Sequence, residues 1–403
     1  MPLLRLFGAL GSLEFEIPLE SLVVFTSTGS DAAERLAFGL IAAEAQRQMA
    51  PLLAPTWLPS IGRLATREEG SIEGLRPTFC VRRCDAEWPQ GTRVGHVLGI
   101  LPLLQQALGC DGASSCGACS GAGQRAEVAL EALISDPSLS LAEGAIAPWA
   151  EKNSKYYLGV LQTLAQRIGL DVALPWSSLS PAMRSVVLYG SPESNYKGVV
   201  HDVERRVAKV GEGRGGETMA ALSKYLVWQD CAVCSGTGKD GAALLCTRAG
   251  VGLVLLYQTS ISKLGPHIES LANTLDAGAA FRLHERVVRQ QHMADALGLA
   301  SETLGCRVED VSPVSARQLR LGEVLGSGLQ KAIYVLQTPL LELSGILRTS
   351  TLGLIEQRVA AGDSVFMLEE HPDAAACADA CFRLDVAADT GLVSVVQTAR
   401  SQT

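Results

Sequence analysis

Four cysteines set in two copies of one short frame are the residues best placed to do chemistry. Cys116-Gly117-Ala118-Cys119-Ser120-Gly121-Ala122-Gly123 and Cys231-Ala232-Val233-Cys234-Ser235-Gly236-Thr237-Gly238 share the pattern C-x-x-C-x-G-x-G. Two thiolates two residues apart can bite one metal, and the glycines let the backbone turn tightly enough for amide N–H groups to face the sulfurs. Four thiolates suit tetrahedral Zn²⁺, so Cys116, Cys119, Cys231 and Cys234 are the expected ligands of one structural zinc. Two other readings stay open: four buried free cysteines at turns, and redox C-x-x-C chemistry, although a redox pair is expected once and beside a βαβ unit. A closed four-cysteine site leaves no position for water, which argues against a zinc hydrolase.

The stretch from Cys119 to Cys231 is far longer than a zinc ribbon and must loop out a whole subdomain. The chain holds 11 cysteines, an odd number. That count favours reduced thiols and metal ligands over a disulfide framework. Cys80, Cys84, Cys110, Cys246, Cys306, Cys377 and Cys381 show no second such frame and are expected in the core. His96, His201, His267, His284 and His292 have no local motif around them.

The elements that must position these residues read as alternating strands and helices. Leu13, Phe15 and Ile17 alternate with Glu14 and Glu16, and Leu22-Val23-Val24-Phe25 is a short buried run, which predicts two strands over 12–26. A helix follows, capped by Ser30 or Asp31 with Glu34 completing an Asp-x-x-Glu box, and striped by Leu36, Leu40 and Ala43. Val94 to Cys110, broken by His96, Pro102, Gln105 and Gln106, reads as a buried helix and not as a membrane span. Residues 125–219 are mostly helical, with breaks at Asp136-Pro137-Ser138, Pro175-Trp176-Ser177 and Gly190-Ser191-Pro192. The glycine-rich run Gly211 to Gly216 reads as a connector. A helix over 319–329 ends at Gly326-Ser327-Gly328; strands follow over 332–336 and 364–368, with a helix over 352–361 between them. Strands alternating with helices imply a parallel α/β sheet.

The 403 residues suffice for two or three domains, and 47% hydrophobic against 19% charged residues exclude a mainly disordered chain. A net charge of −8 argues against general coating of nucleic acid or anionic membrane and leaves local contact only. Glu14, Glu16 and Glu20 near the start, without a basic and then apolar leader, predict a cytoplasmic protein.

Several segments in order carry a family likeness. Ile72-Glu73-Gly74-Leu75, Ser138 to Leu141 through Gly144-Ala145-Ile146, Val186 to Gly190, Leu297-Gly298-Leu299, Gly326 to Leu329 and Tyr334-Val335-Leu336 together resemble the first half of the UvrA family. UvrA is the damage-recognising subunit of the bacterial excinuclease, with two ABC-type ATPase halves in one chain. The resemblance runs from about Leu13 to Leu384, and the two cysteine frames fall where that family holds a zinc. It implies an ABC-type nucleotide-binding-domain-like α/β sheet with a largely helical zinc-bearing insertion. Residues 1–110 would form the first part of the ATPase-like lobe, 111–310 the zinc-bearing signature and insertion-like region, and 311–403 the second part of the lobe. Residues 138–189 would resemble the insertion domain that helps line the DNA clamp. Between Ala107 and Cys116 the family carries its UvrB-binding domain and another zinc pair, and only residues 108–115 stand there in this chain.

The nucleotide motifs depart from the family. Where it reads G-x-x-x-x-G-K-S, this chain reads Ser27-Thr28-Gly29-Ser30-Asp31-Ala32-Ala33-Glu34. A phosphate loop needs glycines so that N–H groups converge, a Lys for the β/γ charge and a hydroxyl for Mg²⁺. Ala33 stands at the Lys position and Glu34 at the hydroxyl, while Asp31 adds negative charge where an anion should dock. The metal-holding and water-polarising carboxylates become Gln337 and Thr338. The signature L-S-G-G-E becomes Val311-Ser312-Pro313-Val314-Ser315, with Pro313 expected to disrupt the helix start, and the Q-loop glutamine becomes Arg83. His371 matches a switch residue, and it reads equally well as a surface or capping histidine.

These losses predict a chain that does not hydrolyse ATP, with zinc as its cofactor. The alternative is an altered site in which Glu34 and His371 support a nucleotide and Arg83 contacts phosphate. Expected partners are an ABC-type or UvrA-like protein, in a homo- or hetero-oligomer, with DNA as a further candidate, and neither UvrB nor a membrane. Arg205, Arg206, Lys209, Arg214 and Lys224 are nearly balanced by Asp202, Glu204, Glu212 and Glu217, a thin footprint for nucleic acid. Arg282, Arg286 and Arg289 at helical spacing make a better strip, which also reads as a solvated helix face. Apolar Ala32-Ala33, Pro313-Val314 and Leu340-Leu341 around the old site predict a surface still buried by a partner.

Overall fold

A computed structural model describes residues 2–10, 13–27, 31–49, 70–83, 88–89, 91–150, 154–191, 195–211, 219–326, 328–386 and 393–398. The chain divides into two compact units, Met1–Ser115 with Lys239–Thr403, and Cys116–Gly238. Its strands are β1 (Leu3–Ala9), β2 (Leu13–Pro18), β3 (Leu22–Ser27), β4 (Ser71–Glu73), β5 (Thr78–Val81), β6 (Gln124–Val128), β7 (Leu226–Asp230), β8 (Thr247–Arg248), β9 (Val251–Gly252), β10 (Ile333–Gln337), β11 (Ser364–Leu368), β12 (Ala380–Val386) and β13 (Val393–Thr398).

The first unit is built on a six-stranded sheet in the order β13-β12-β3-β11-β10-β5, with a three-stranded antiparallel sheet β2-β1-β4. Within the larger sheet β12, β3, β11, β10 and β5 run parallel, and β13 pairs antiparallel with β12. The central strands are apolar at nearly every position because both faces are covered. Leu22, Val24, Tyr334, Leu336, Val365 and Met367 enter one core, while Val23, Phe25, Ile333, Val335, Phe366 and Leu368 enter the other. That period of two sends alternate side chains to opposite faces.

The helical run over 32–49 covers the second face with Leu36, Phe38 and Leu40, and its middle, Arg35–Ala42, is wound with the wider π spacing. Asp31 stands at its N-cap, but its side chain makes no capping bond, so the expected Asp-x-x-Glu box is not formed. Ser30 lies outside the described residues. The buried segment after Arg93 is two helices, Val94–Val97 and Ile100–Leu108, separated at Gly99, whose φ is +69°.

The helix expected over 319–329 begins earlier, at Pro313, and ends at Leu325. Ser312 caps it by accepting the Ser315 N–H, and Pro313 occupies the first turn, where its missing N–H would have had no intrahelical partner. Pro313 therefore starts this helix and does not disrupt it. The helix Gly345–Ala360 likewise begins before the expected 352, under a Ser344 cap.

The second unit is mainly helical, with helices Ser154–Ile168, Pro181–Tyr189 and Gly198–Gly211 around Leu133, Leu161, Leu164, Trp176, Val187 and Val203. At its centre the Asp202 carboxylate accepts hydrogen bonds from Trp149 Nε1 at 3.1 Å, Tyr157 Oη at 3.0 Å and Arg205 at 2.5 Å. The rings of Trp149 and Tyr157 stack at 4.5 Å. Two short strands, β6 and β7, pair antiparallel at the ends of this unit's sequence. Residues 212–216 of the expected connector, with Glu212, Arg214 and Glu217, lie outside the described residues.

Candidate functional site

The β6–β7 pair carries one cysteine frame immediately before it and the other immediately after it. Pairing Gln124 with Asp230 thus brings together residues far apart in sequence. The two frames then repeat one backbone path: φ is positive at Ser120, Gly121 and Gly123 and again at Ser235, Gly236 and Gly238. In each frame the last glycine N–H donates to the second cysteine's sulfur, Gly123 to Cys119 Sγ and Gly238 to Cys234 Sγ, both at 3.3 Å. The frames also exchange bonds reciprocally. Cys116 N–H donates to the Gly238 carbonyl at 2.9 Å, and Cys231 N–H to the Gly123 carbonyl at 3.0 Å.

The outcome is a local two-fold arrangement in which Cys116, Cys119, Cys231 and Cys234 are all buried and their sulfurs lie within 4.8 Å of one another. Cys119 and Cys234 Sγ are 3.8 Å apart. A tetrahedron with Zn–S bonds of about 2.3 Å has S···S edges near ~3.8 Å, so the donor set and its spacing fit a tetrahedral thiophilic cation. The Cys234 N–H lowers the Cys231 thiol to about 7, whereas burial raises Cys234 to about 12. Thiolates gathered at this spacing repel one another, and a bound cation would offset that repulsion. Such an ion would tie the two ends of the unit together; with four protein ligands it would have no open position for chemistry.

No disulfide joins the described cysteines. Of the seven expected in the core, Cys110 is buried, while Cys80, Cys246, Cys306, Cys377 and Cys381 are only half-buried and Cys84 lies outside the described residues.

In the first unit, parallel pairing places the carboxyl ends of β3, β11 and β10 side by side, with Gln337 opposite Leu368 and Leu368 opposite Phe25. A cavity of about 570 Å³ opens at these ends. Ser27, Ala33, Glu34, Gln337, Thr338 and His371 all line it, so the fold collects most of the residues that sequence assigns to the nucleotide site. Residues 28–30 lie outside the described residues. Ala32 is buried away from the cavity, and Arg83 lines a separate small hollow with Arg82, Arg317 and Arg320. Arg83 still reaches the site through its backbone, because its N–H donates to Gln337 Oε1 at 3.0 Å.

The cavity is rich in carboxylates: Asp31, Glu34, Glu342, Glu369 and Glu370 line it. Arg348, also in the lining, is bound to Asp373 at 2.6 Å and to the Leu343 carbonyl. Thr338 has φ +46°, donates its N–H to the Leu368 carbonyl at 2.9 Å and leaves Oγ1 buried without a hydrogen bond. His371 caps a short helix, its Nδ1 accepting the Asp373 N–H at 3.2 Å, which is the capping reading of that residue.

Glu369 is the residue sequence reasoning missed. Its buried carboxylate accepts N–H groups from Leu340, Glu370 and His371 at 3.1, 3.0 and 3.2 Å, joining the turns after β10 and β11. A charged doublet directly after an all-apolar strand was the signal available. Ala32, Ala33 and Leu340 are already buried by the unit itself, so they need no partner to cover them.

A mostly parallel sheet flanked by helices, with a residue-lined cleft at its carboxyl edge, is an ABC-type α/β fold. UvrA2 from Deinococcus radiodurans shares it: the solved structure superposes with a TM-score of 0.57 at 22% identity, covering 95% of this chain and 54% of that one. The family profile "UvrA DNA-binding domain" matches residues 130–213. UvrABC system protein A of Salmonella typhimurium (strain LT2) is 30% identical over 291 residues, 66% of this chain and 30% of that protein. UvrABC system protein A of Paucimonas lemoignei is 25% identical over 416 residues, 89% of this chain and 60% of that protein. The chain is UvrA-like and spans from 30% to 60% of the length of these relatives. Among the described residues no helix is long and apolar enough to cross a membrane.

Proposed function

We propose that this chain is a catalytically inactive UvrA-like protein that acts as an accessory or regulatory subunit through protein–protein pairing, with DNA as a further partner. The observation that carries this reading is the carboxylate-lined cavity at the sheet ends. Glu34 and Asp31 stand where phosphate and Mg²⁺ would sit, and Gln337 and Thr338 provide no carboxylate to hold the metal or polarise water. A triphosphate entering this cavity would meet the carboxylates of Asp31, Glu34, Glu342, Glu369 and Glu370 and, among the described lining residues, no Lys. One structural zinc on Cys116, Cys119, Cys231 and Cys234 completes the assignment.

An ABC half works by facing another half, so the fold brings a surface shaped for pairing. UvrB is disfavoured because only residues 108–115 stand where the family's UvrB-binding segment would be. Titration calorimetry with ATP·Mg²⁺, together with a phosphate-release assay, tests the reading. No binding and no turnover are expected, whereas micromolar binding abolished by Glu34→Ala would overturn it. Light scattering over a concentration series, alone and with a UvrA-like protein, tests pairing; a strictly monomeric chain in both settings would refute it.

The profile match over residues 130–213 favours a second reading, a UvrA-like DNA-binding protein of excision repair that retains an altered ATP site. Binding to duplex DNA that weakens steeply with salt and strengthens with ATP would favour it.

A further inference from the structure

A second hollow of the first unit, about 580 Å³, lies between the helices Ala277–Ala296 and Gly345–Ala360 and beside Leu325-Gly326. Its chemistry is opposite to that of the carboxylate-lined cavity. Arg289, His292 and Arg358 line it, and among the described lining residues none carries a carboxylate, in a chain whose net charge is −8. Arg358 is held in place by Asp363 at 2.6 Å, by the Tyr334 hydroxyl at 2.9 Å and by the Leu329 carbonyl, all through one terminal nitrogen, yet its Nε is buried without a hydrogen-bond partner. Arg289 is braced by Glu285 one helical turn away at 2.5 Å. Each guanidinium has five donors, and these partners engage one terminal nitrogen of each, which leaves the other for a second anion.

Two further features point to an organic occupant. Gln290 donates Nε2 to the Gly326 carbonyl at 3.1 Å, which fixes its amide and leaves Oε1 buried with no donor. A buried acceptor in that state is costly unless something supplies an N–H or O–H. Gly353 lies inside a helix, where glycine is disfavoured, and a Cβ there would meet nothing within 4 Å. No close packing requires a glycine at that position; its effect is to leave room. Met293 and Leu354 supply an apolar wall. The volume falls within the range of small-molecule sites.

We propose that this hollow binds a small organic phosphate of mononucleotide size. The phosphate lies on Arg289 and Arg358, the apolar body lies against Met293 and Leu354, and a ring N–H or hydroxyl faces Gln290 Oε1. This is a site separate from the old nucleotide cavity and independent of whether that cavity is active.

Calorimetry on the full chain with AMP as the probe, and with adenosine and inorganic phosphate as separate arms, tests it. Saturable AMP binding is expected, with adenosine and phosphate each at least tenfold weaker. Arg289→Ala, at an exposed surface pair, should weaken AMP at least tenfold. Gly353→Leu should abolish binding while leaving the melting temperature unchanged or raised, since it fills open space and improves helix propensity. Glu34→Ala should change nothing. Absence of AMP binding up to ~1 mM would overturn the proposal. So would binding indifferent to Arg289→Ala and Gly353→Leu, binding lost in Glu34→Ala, or adenosine or phosphate binding as tightly as AMP.

Discussion

Gly238 and Gly121 stand in backbone contact: a Cβ on Gly238 would lie 2.3 Å from the Gly121 carbonyl oxygen. The two cysteine frames are therefore pressed together by main chain as well as by whatever their sulfurs hold. Gly238 also has φ +71°, a conformation that L side chains rarely adopt. Gly238→Ala should destabilise the second unit by roughly 2–4 kcal/mol, combining left-handed strain with overpacking. Gly117→Ala, where a Cβ meets nothing within 4 Å, should stay within about 0.5 kcal/mol of the parent. Chemical denaturation of the two variants checks the contrast.

Metal analysis of the purified chain should find close to one zinc per molecule. Replacing Cys231 and Cys234 with Ser should bring the content near zero and lower the melting temperature, because the binding free energy of a structural zinc contributes to folding. Zinc should also leave on acidification, since protons compete for thiolate ligands. Unchanged zinc and stability in the double variant would assign the four sulfurs as free buried thiols.

Asp202 gives the second unit an acid limit. Burial pushes its carboxyl up, but hydrogen bonds from Arg205, Trp149 and Tyr157 outweigh that and hold it below the ordinary carboxylate range. A group depressed in the folded state contributes stability that is present above its unfolded value, about 3.9, and is lost as pH falls through the folded value. Stability should thus decline from near pH ~5 downward. Asp202→Asn should cost about 2–4 kcal/mol at pH 7 and flatten that decline. Melting temperatures measured from pH 7 to pH 3 decide it.

Glu369 anchors the turns around the sheet-edge cavity through three N–H bonds. Glu369→Gln keeps the shape but removes the charge and turns one acceptor into a donor facing N–H groups. A loss of roughly 1–3 kcal/mol is expected. Faster amide exchange at Leu340, Glu370 and His371 should accompany it, and unchanged exchange there would refute the anchoring role.

The strands β10 and β11 were legible because an uninterrupted apolar run flanked by polar residues fits a strand covered on both faces. The cysteine frames were legible because their spacing repeats. The β6–β7 pair was not: Gln124–Val128 and Leu226–Asp230 mix polar and apolar residues without a clean alternation, and the partners lie about a hundred residues apart in sequence. Local pattern likewise misassigned Pro313, which reads as a breaker unless the Ser312 cap is known to precede it. Arg83, aligned with the Q-loop position, lines the hollow beside Arg317 and Arg320 and meets the sheet-edge cavity only through its backbone N–H, a placement that linear alignment does not specify.

Ser115 and Lys239 form an antiparallel bridge, and the next residues inward, Cys116 and Gly238, share a hydrogen bond of 2.9 Å. Both ends of the stretch 116–238 are therefore neighbours, as are the two residues that flank it. Excising 116–238 and rejoining Ser115 to Lys239 with a two-residue turn would join residues that already stand as bridge partners. The excised stretch 116–238 would start and finish at adjacent points, already tied by its own frames. It is built like a graft whose ends match an exposed hairpin with strands one β-spacing apart.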